Sequence, residues 1–167
     1  MLLTLGKTDI RHAHLHDESG NTVYKINTPH LSSHTTIHRG HWHTVARIDW
    51  HWGQSATFHV DGHKMKSKHF IRKRGWIHNT YTFSGPDGVR YEWKQRGDTY
   101  ELRTKDGHHT VALFHPPHWH LLRSNEKASL EIFPAGHHVA DTIVMTLRTK
   151  VEAGVGIKVE IEIEVEV

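Results

Sequence analysis

The chain has 167 residues and a mass of 19.3 kDa, the size of one domain able to bury a real core. It has no cysteine, which excludes disulfides, thiolate-held zinc or iron–sulfur sites and any thiol nucleophile. Lys and Arg number 21 against 18 Asp and Glu, a formal charge of +3, but 20 histidines with an unperturbed pKa of about 6.5 make the chain far more basic in mild acid.

The opening run Leu2-Leu3-Thr4-Leu5 is too short for the ~7–15 apolar residues of a signal segment. No later stretch approaches the ~20 apolar residues of a spanning helix. The expectation is a cytoplasmic protein. Turn signals at Ser19-Gly20-Asn21, Asp61-Gly62, Gly85-Pro86-Asp87-Gly88, Arg96-Gly97-Asp98 and Asp106-Gly107 punctuate β-rich runs. These predict strands near 2–5, 22–26, 34–38, 43–52, 56–60, 63–68, 76–83, 88–94, 99–104, 109–115, 118–123 and 128–133. Many short strands at regular spacing imply an all-β barrel or sandwich. The clearest hairpin joins Phe58-His59-Val60 to His63-Lys64-Met65 through Asp61-Gly62.

The pattern changes near the end. Ile143, Val144, Leu147 and Val151 form a helical stripe within 139–151. After Gly154 and Gly156, apolar residues alternate with glutamate from Val155 to Val167, a strand by period. Residues 151–167 carry five Glu and one Lys, a net −4, which leaves +7 on the first 150. The natural division is a domain at 1–152 and an acidic tail at 153–167, an added strand or an appendage.

Several segments occur in a familiar order. Met1-Leu2-Leu3-Thr4-Leu5 precedes Tyr24-Lys25-Ile26-Asn27-Thr28-Pro29, Thr35-Thr36-Ile37 and Ala46-Arg47-Ile48-Asp49-Trp50. Phe83-Ser84-Gly85-Pro86-Asp87-Gly88 follows, then Tyr91-Glu92-Trp93, Leu130-Glu131-Ile132-Phe133-Pro134 and Asp141-Thr142-Ile143-Val144-Met145-Thr146. Over roughly residues 1–152 this succession resembles the DUF6593 family of fungal proteins, within the tubby-like/LURP-one group. The resemblance implies a mainly β fold, a closed barrel of about twelve antiparallel strands around a C-terminal helix. It implies no activity, and lipid binding only by analogy of fold. Arg148 and Lys150 are costly on a helix buried all round, so the helix is expected to be short or half enclosed.

Three segments interleave His with Trp: His41-Trp42-His43, Trp50-His51-Trp52 and His118-Trp119-His120. On a strand, adjacent side chains face opposite ways, so a buried Trp turns its neighbouring His outward. Two histidines two apart lie roughly 6.6 Å apart on one face, at ~3.3 Å per residue, within reach of one ion. His41 with His43 and His118 with His120 are the leading metal ligands, followed by His12, His14 and His16, which lie in a loop or a strand. Imidazole ligation suits zinc or copper. A second candidate is the basic run of Lys64, Lys66, Lys68, Arg72, Lys73 and Arg74, the first three on one strand face and the last three in a turn. Such a run can meet phosphates of anionic lipid headgroups or of nucleic acid. No motif for sequence-specific nucleic-acid binding is present.

Catalytic motifs are absent: no G-x-S-x-G, P-loop, H-E-x-x-H or dinucleotide fingerprint occurs. The expectation is therefore a non-enzymatic barrel with a His-rich surface binding a transition metal. The alternatives are a phosphoinositide- or anionic-lipid-binding module and a copper- or zinc-dependent enzyme.

Overall fold

A computed structural model describes residues 1–6, 10–51, 55–74, 80–117, 127–154 and 163–164. Among them, strands β1 to β7 are Leu2–Leu5, His14–His16, Thr22–Asn27, His34–Arg39, His43–Asp49, Thr57–Val60 and His63–Lys66. One helical turn, α1 (Ser67–Phe70), leads to β8 (Ile71–Arg74). Strands β9 to β13 follow at Thr80–Ser84, Arg90–Arg96, Thr99–Thr104, Thr110–His115 and Ser129–Ile132. A 3-10 segment, Pro134–Val139, then runs into helix α2 (Ala140–Gly154), and β14 is Ile163–Glu164.

The predicted strands recur with ends shifted by a few residues where they are described, while 118–123 lies outside the described residues. Two strands had no strand signal of their own. His14–His16 is only three residues long, too short for a visible period. Ile71–Arg74 includes Arg72, Lys73 and Arg74, which are expected in a turn.

The fold is mainly β. Thirteen strands form one antiparallel sheet in the order β8-β9-β10-β11-β12-β13-β1-β2-β3-β4-β5-β6-β7. β14 adds in parallel to β8, Ile163 opposite Lys73 and Glu164 opposite Arg74. Two meanders, β1–β7 and β8–β13, are stitched together by β1 against β13, with Leu3 opposite Leu130. The expected closure is not made by hydrogen bonding. β7 pairs with β6 and β8 with β9, and the sheet ends there because α1 interrupts the chain between them. Side chains bridge the gap instead. The Phe70 ring lies 5.5 Å from Phe58 of β6 and 5.9 Å from Phe83 of β9.

Alternation sets the inner face. On β10, Tyr91 and Trp93 are buried, and on β4 and β5 so are Thr35, Ile37, Ala46 and Ile48. Val45 is also buried, although period two would turn it outward. The β4–β5 register slips at Ile37/His38, leaving Val45 as the extra residue of a bulge.

Helix α2 fills the space that the sheet curls around. Every residue from Thr142 to Lys150 is buried, so this stretch of the helix is enclosed on all sides rather than half enclosed. Ile143, Val144, Met145 and Leu147 each contribute about 1.5–3 kcal/mol on burial. The two cations are accommodated by facing partners. The Arg148 guanidinium lies 5.0 Å from the Trp50 ring centre and donates to the Thr28 and Thr35 hydroxyls at 3.4 Å. Lys150 Nζ sits 4.4 Å from the Tyr100 ring and 4.9 Å from that of Tyr81.

The helix start is pinned from the sheet. Tyr24 OH donates to Asp141 Oδ1 at 2.6 Å, and Arg39 pairs with Asp141 Oδ2 at 3.0 Å. A carboxylate in the first turn also suits the helix dipole. The preceding 3-10 segment needs a glycine: a Cβ on Gly136 would come within 2.6 Å of Val111 Cγ1 and 2.8 Å of its carbonyl oxygen.

Thr35 joins this interior network. Its Oγ1 accepts from Trp50 Nε1 at 2.8 Å, lies 2.8 Å from Thr28 Oγ1, and faces Arg148. Thr35→Val keeps the shape but removes the hydroxyl. It is expected to lower unfolding free energy by about 1–3 kcal/mol in urea titration, because polar partners stay buried without it.

Candidate functional site

Among the described residues, the predicted metal ligands lie on separate elements. His41 lies with Gly40 and Trp42 in the three-residue loop joining β4 to β5, and only His43 is on a strand. Gly40 takes φ +62° to close that loop. The strand rule therefore fails there, and Trp42 is 91% exposed instead of buried. His118 and His120 lie outside the described residues. His12 sits in a 3-10 turn, its Nδ1 3.4 Å from Asn27 Oδ1. His14 and His16 share the outer face of β2, on either side of buried Leu15, with ring centres 6.1 Å apart. β2 and β5 are separated by two strands in the sheet, so the His14 and His43 faces do not meet. Among the described residues, no three His, Asp or Glu side chains gather in a metal-holding arrangement.

Many histidines instead contact carboxylates or hydroxyls. His59 Nε2 is 2.8 Å from Asp49 Oδ2, and Arg47 donates to Asp49 Oδ1 at 2.7 Å. Burial raises the Asp49 pKa, but these two hydrogen bonds outweigh it and hold the group below its ordinary value. Asp87, in the β9–β10 turn, accepts from Tyr91 OH at 2.6 Å and lies 2.8 Å from His138 Nε2. Burial opposes ionisation there as well, and the Tyr91 and His138 bonds again bring the pKa below normal. His34, His38 and His51 meet the hydroxyls of Ser32, Thr44 and Thr57.

The basic run divides around the seam of the sheet. Lys64 and Lys66 are exposed on β7, Lys68 is exposed on α1, and Arg72 is exposed on β8. Lys73 lies opposite Tyr81, so by alternation it belongs to the inner-facing set with Ile71. Arg74 is the last residue of β8. Arg72–Arg74 therefore form a strand rather than the expected turn. Arg72 lines a cleft.

That cleft holds about 210 Å³ and is lined by His69, Phe70, Arg72, Thr82, Phe83, Ser84, Arg90 and Lys105. They come together from α1, three strands and the residue after β11. Arg72 is opposite Thr82 and Ser84 is opposite Arg90, while the Lys105 amide donates to the Arg90 carbonyl at 2.8 Å. Three permanent cations, one imidazole and two hydroxyls face a space with no carboxylate in its lining. Nearby Asp87 is occupied as described, and Asp106 is bound by Thr104 Oγ1 and the His108 amide. The sequence pointed to Arg72 but not to Arg90 or Lys105, which are isolated cations in the sequence and converge through strand register.

A family model described as "Family of unknown function (DUF6593)" matches residues 8–149. The chain belongs to the DUF6593 family. No curated protein and no solved structure matches it. Every residue lining the cleft lies within the DUF6593 match, as do Arg148 and the described histidines. Among the described residues, no helix is long and apolar enough to cross a membrane.

The interior of this DUF6593 chain also holds a distinctive amine. Burial among the inner strands pushes the Lys150 pKa down to about 8. The unfolded chain, with lysine near 10.5, thus binds more protons than the native state between these values. Stability from this group is lowest below pH 8 and rises as pH climbs from about 8 toward 10.5. Lys150→Met is expected to raise the melting temperature at pH 7 by removing the buried ammonium. The gain should shrink toward zero by pH 10, as read by thermal denaturation of both proteins across that range.

Proposed function

We propose that this protein binds phosphate-bearing anionic lipid headgroups through the cleft between α1 and strands β8–β11. The observation that carries the reading is a concave site with Arg72, Arg90, Lys105 and His69 around it and no acid in its lining. Guanidinium groups supply paired donors matched to phosphate oxygens, and lysine adds a compact charge. Thr82 and Ser84 add hydroxyls for the remaining oxygens. The exposed Lys64, Lys66 and Lys68 extend the positive field toward the cleft and would steer an anionic surface onto it. The tubby-like grouping is part of this reading, supported by one strongly curled sheet around one helix and a seam filled by Phe70. The reading is a binding module rather than an enzyme.

Cosedimentation with phosphatidylcholine vesicles containing phosphatidylinositol bisphosphate tests it. Wild-type protein is expected to pellet at low salt and to release as salt is raised. Arg72→Ala combined with Arg90→Ala and Lys105→Ala should weaken binding at least tenfold and flatten the salt dependence. Equal retention of the triple variant would overturn the assignment of the cleft.

The His14–His16 pair supports a smaller second reading. Two imidazoles on one strand face at 6.1 Å can swing onto one zinc or copper ion, leaving its other positions to water. Calorimetry with zinc should show one binding event lost in His14→Ala with His16→Ala. Unchanged stoichiometry would remove this pair from consideration.

A further inference from the structure

The antiparallel order places the turns after β2, β4, β6, β9 and β11 at one end of the sheet, together with the start of β1. The loops after β3 and β5 lie at the other end. Five large apolar side chains are exposed among the described residues: Met1, Leu2, Leu31, Trp42 and Val89. Four of them share the first end. Trp42 tips the β4–β5 loop, Val89 sits in the β9–β10 turn, and Leu2 lies on the outer face of β1. Leu31 alone is at the opposite end. The cleft opens toward the same end as Trp42, since Ser84 ends β9, Arg90 begins β10 and Lys105 directly follows β11.

A single exposed apolar residue is ordinary on a protein surface. Several at the end of the sheet toward which a cationic cleft opens match a particular surface. The headgroup zone of an anionic membrane offers phosphates to cations and an amphipathic layer in which indole rings settle. The Trp42 loop is firmly mounted for that role. Arg39 pairs in register with His43 at its base and also holds Asp141 at 3.0 Å, and His38 Nδ1 lies 3.1 Å from Thr44 Oγ1.

Resting on the cleft reading above, we infer that the protein docks end-on to anionic membranes, with Trp42 and Val89 inserted at the headgroup–acyl boundary while the cleft holds a lipid phosphate. The partner is the lipid surface itself, recognised jointly by insertion and charge.

The absence of cysteine allows a single fluorophore to be placed at will. Trp42→Cys, Val89→Cys and Leu31→Cys, each labelled with an environment-sensitive nitrobenzoxadiazole dye, are mixed with phosphatidylcholine vesicles with and without phosphatidylinositol bisphosphate. Dye at 42 and 89 should brighten and shift to the blue on anionic vesicles, and be quenched by lipids brominated near the top of the acyl chain. Dye at 31 should not change. Unlabelled Trp42→Ala should bind the same vesicles several-fold more weakly while keeping its affinity for soluble inositol phosphate. Vesicle binding with no response at 42 and 89, or a response at 31, would overturn the docking orientation and leave the cleft reading intact. Wild-type binding to soluble inositol phosphate but not to vesicles would replace the membrane by a free phosphate ligand. Binding to neither would overturn the cleft reading and this inference together.

Discussion

The enclosure of helix α2 is the constraint on which the molecule depends. A helix buried from Thr142 to Lys150 has no solvent face, so every side chain on it must find its complement on the surrounding strands. Aliphatic residues meet the inner face of the sheet. Trp93 Nε1 donates to Thr146 Oγ1 at 3.0 Å, and Thr146 in turn donates to the Thr142 and Ile143 carbonyls. Arg148 and Lys150 meet aromatic faces. Removing a charged group from water is expensive unless something faces it. Trp50, Tyr81 and Tyr100 are therefore fixed by the helix as much as the helix is by them.

This enclosure makes an outer surface that is free to vary in charge. Because the inner positions are committed to α2, the outward positions of β8–β11 can carry Arg72, Arg90, Lys94, Arg96, Arg103 and Lys105. Some are neutralised locally, as Lys94 is by Glu92 at 2.8 Å and Arg96 by Glu101 at 3.3 Å. The cleft forms where such neighbours are replaced by Thr82 and Ser84. The lining of the cleft thus combines cations with hydroxyls rather than with carboxylates.

Much of the fold was legible because period two survives along most strands and turn residues separate them. The helix was legible from its stripe, but its enclosure was not. Arg148 and Lys150 argue for solvent until the aromatic rings facing them are known, and those rings are distant in sequence. Histidine was the most prominent signal in the sequence. His59 and His138 are each taken up by one carboxylate, and Trp42 breaks the alternation on which the His41–His43 reading relied. The cleft could not be seen in advance, since Arg72, Arg90 and Lys105 are brought together only by the register of β8, β9 and β10 and by one backbone bond beyond β11.

The place of β1 has a kinetic consequence. Each meander is built from neighbours in sequence, whose pairing closes short loops. The ladder of β1 with β13 instead joins residues such as Leu3 and Leu130, at opposite ends of the domain. Closing so long a span costs chain entropy before any contact rewards it. The two meanders are thus the local units of folding and the β1–β13 ladder its slow, high-contact-order step. Until that ladder forms, both of its strands present open edges, and the interior has no complete wall against which to hold Arg148 and Lys150.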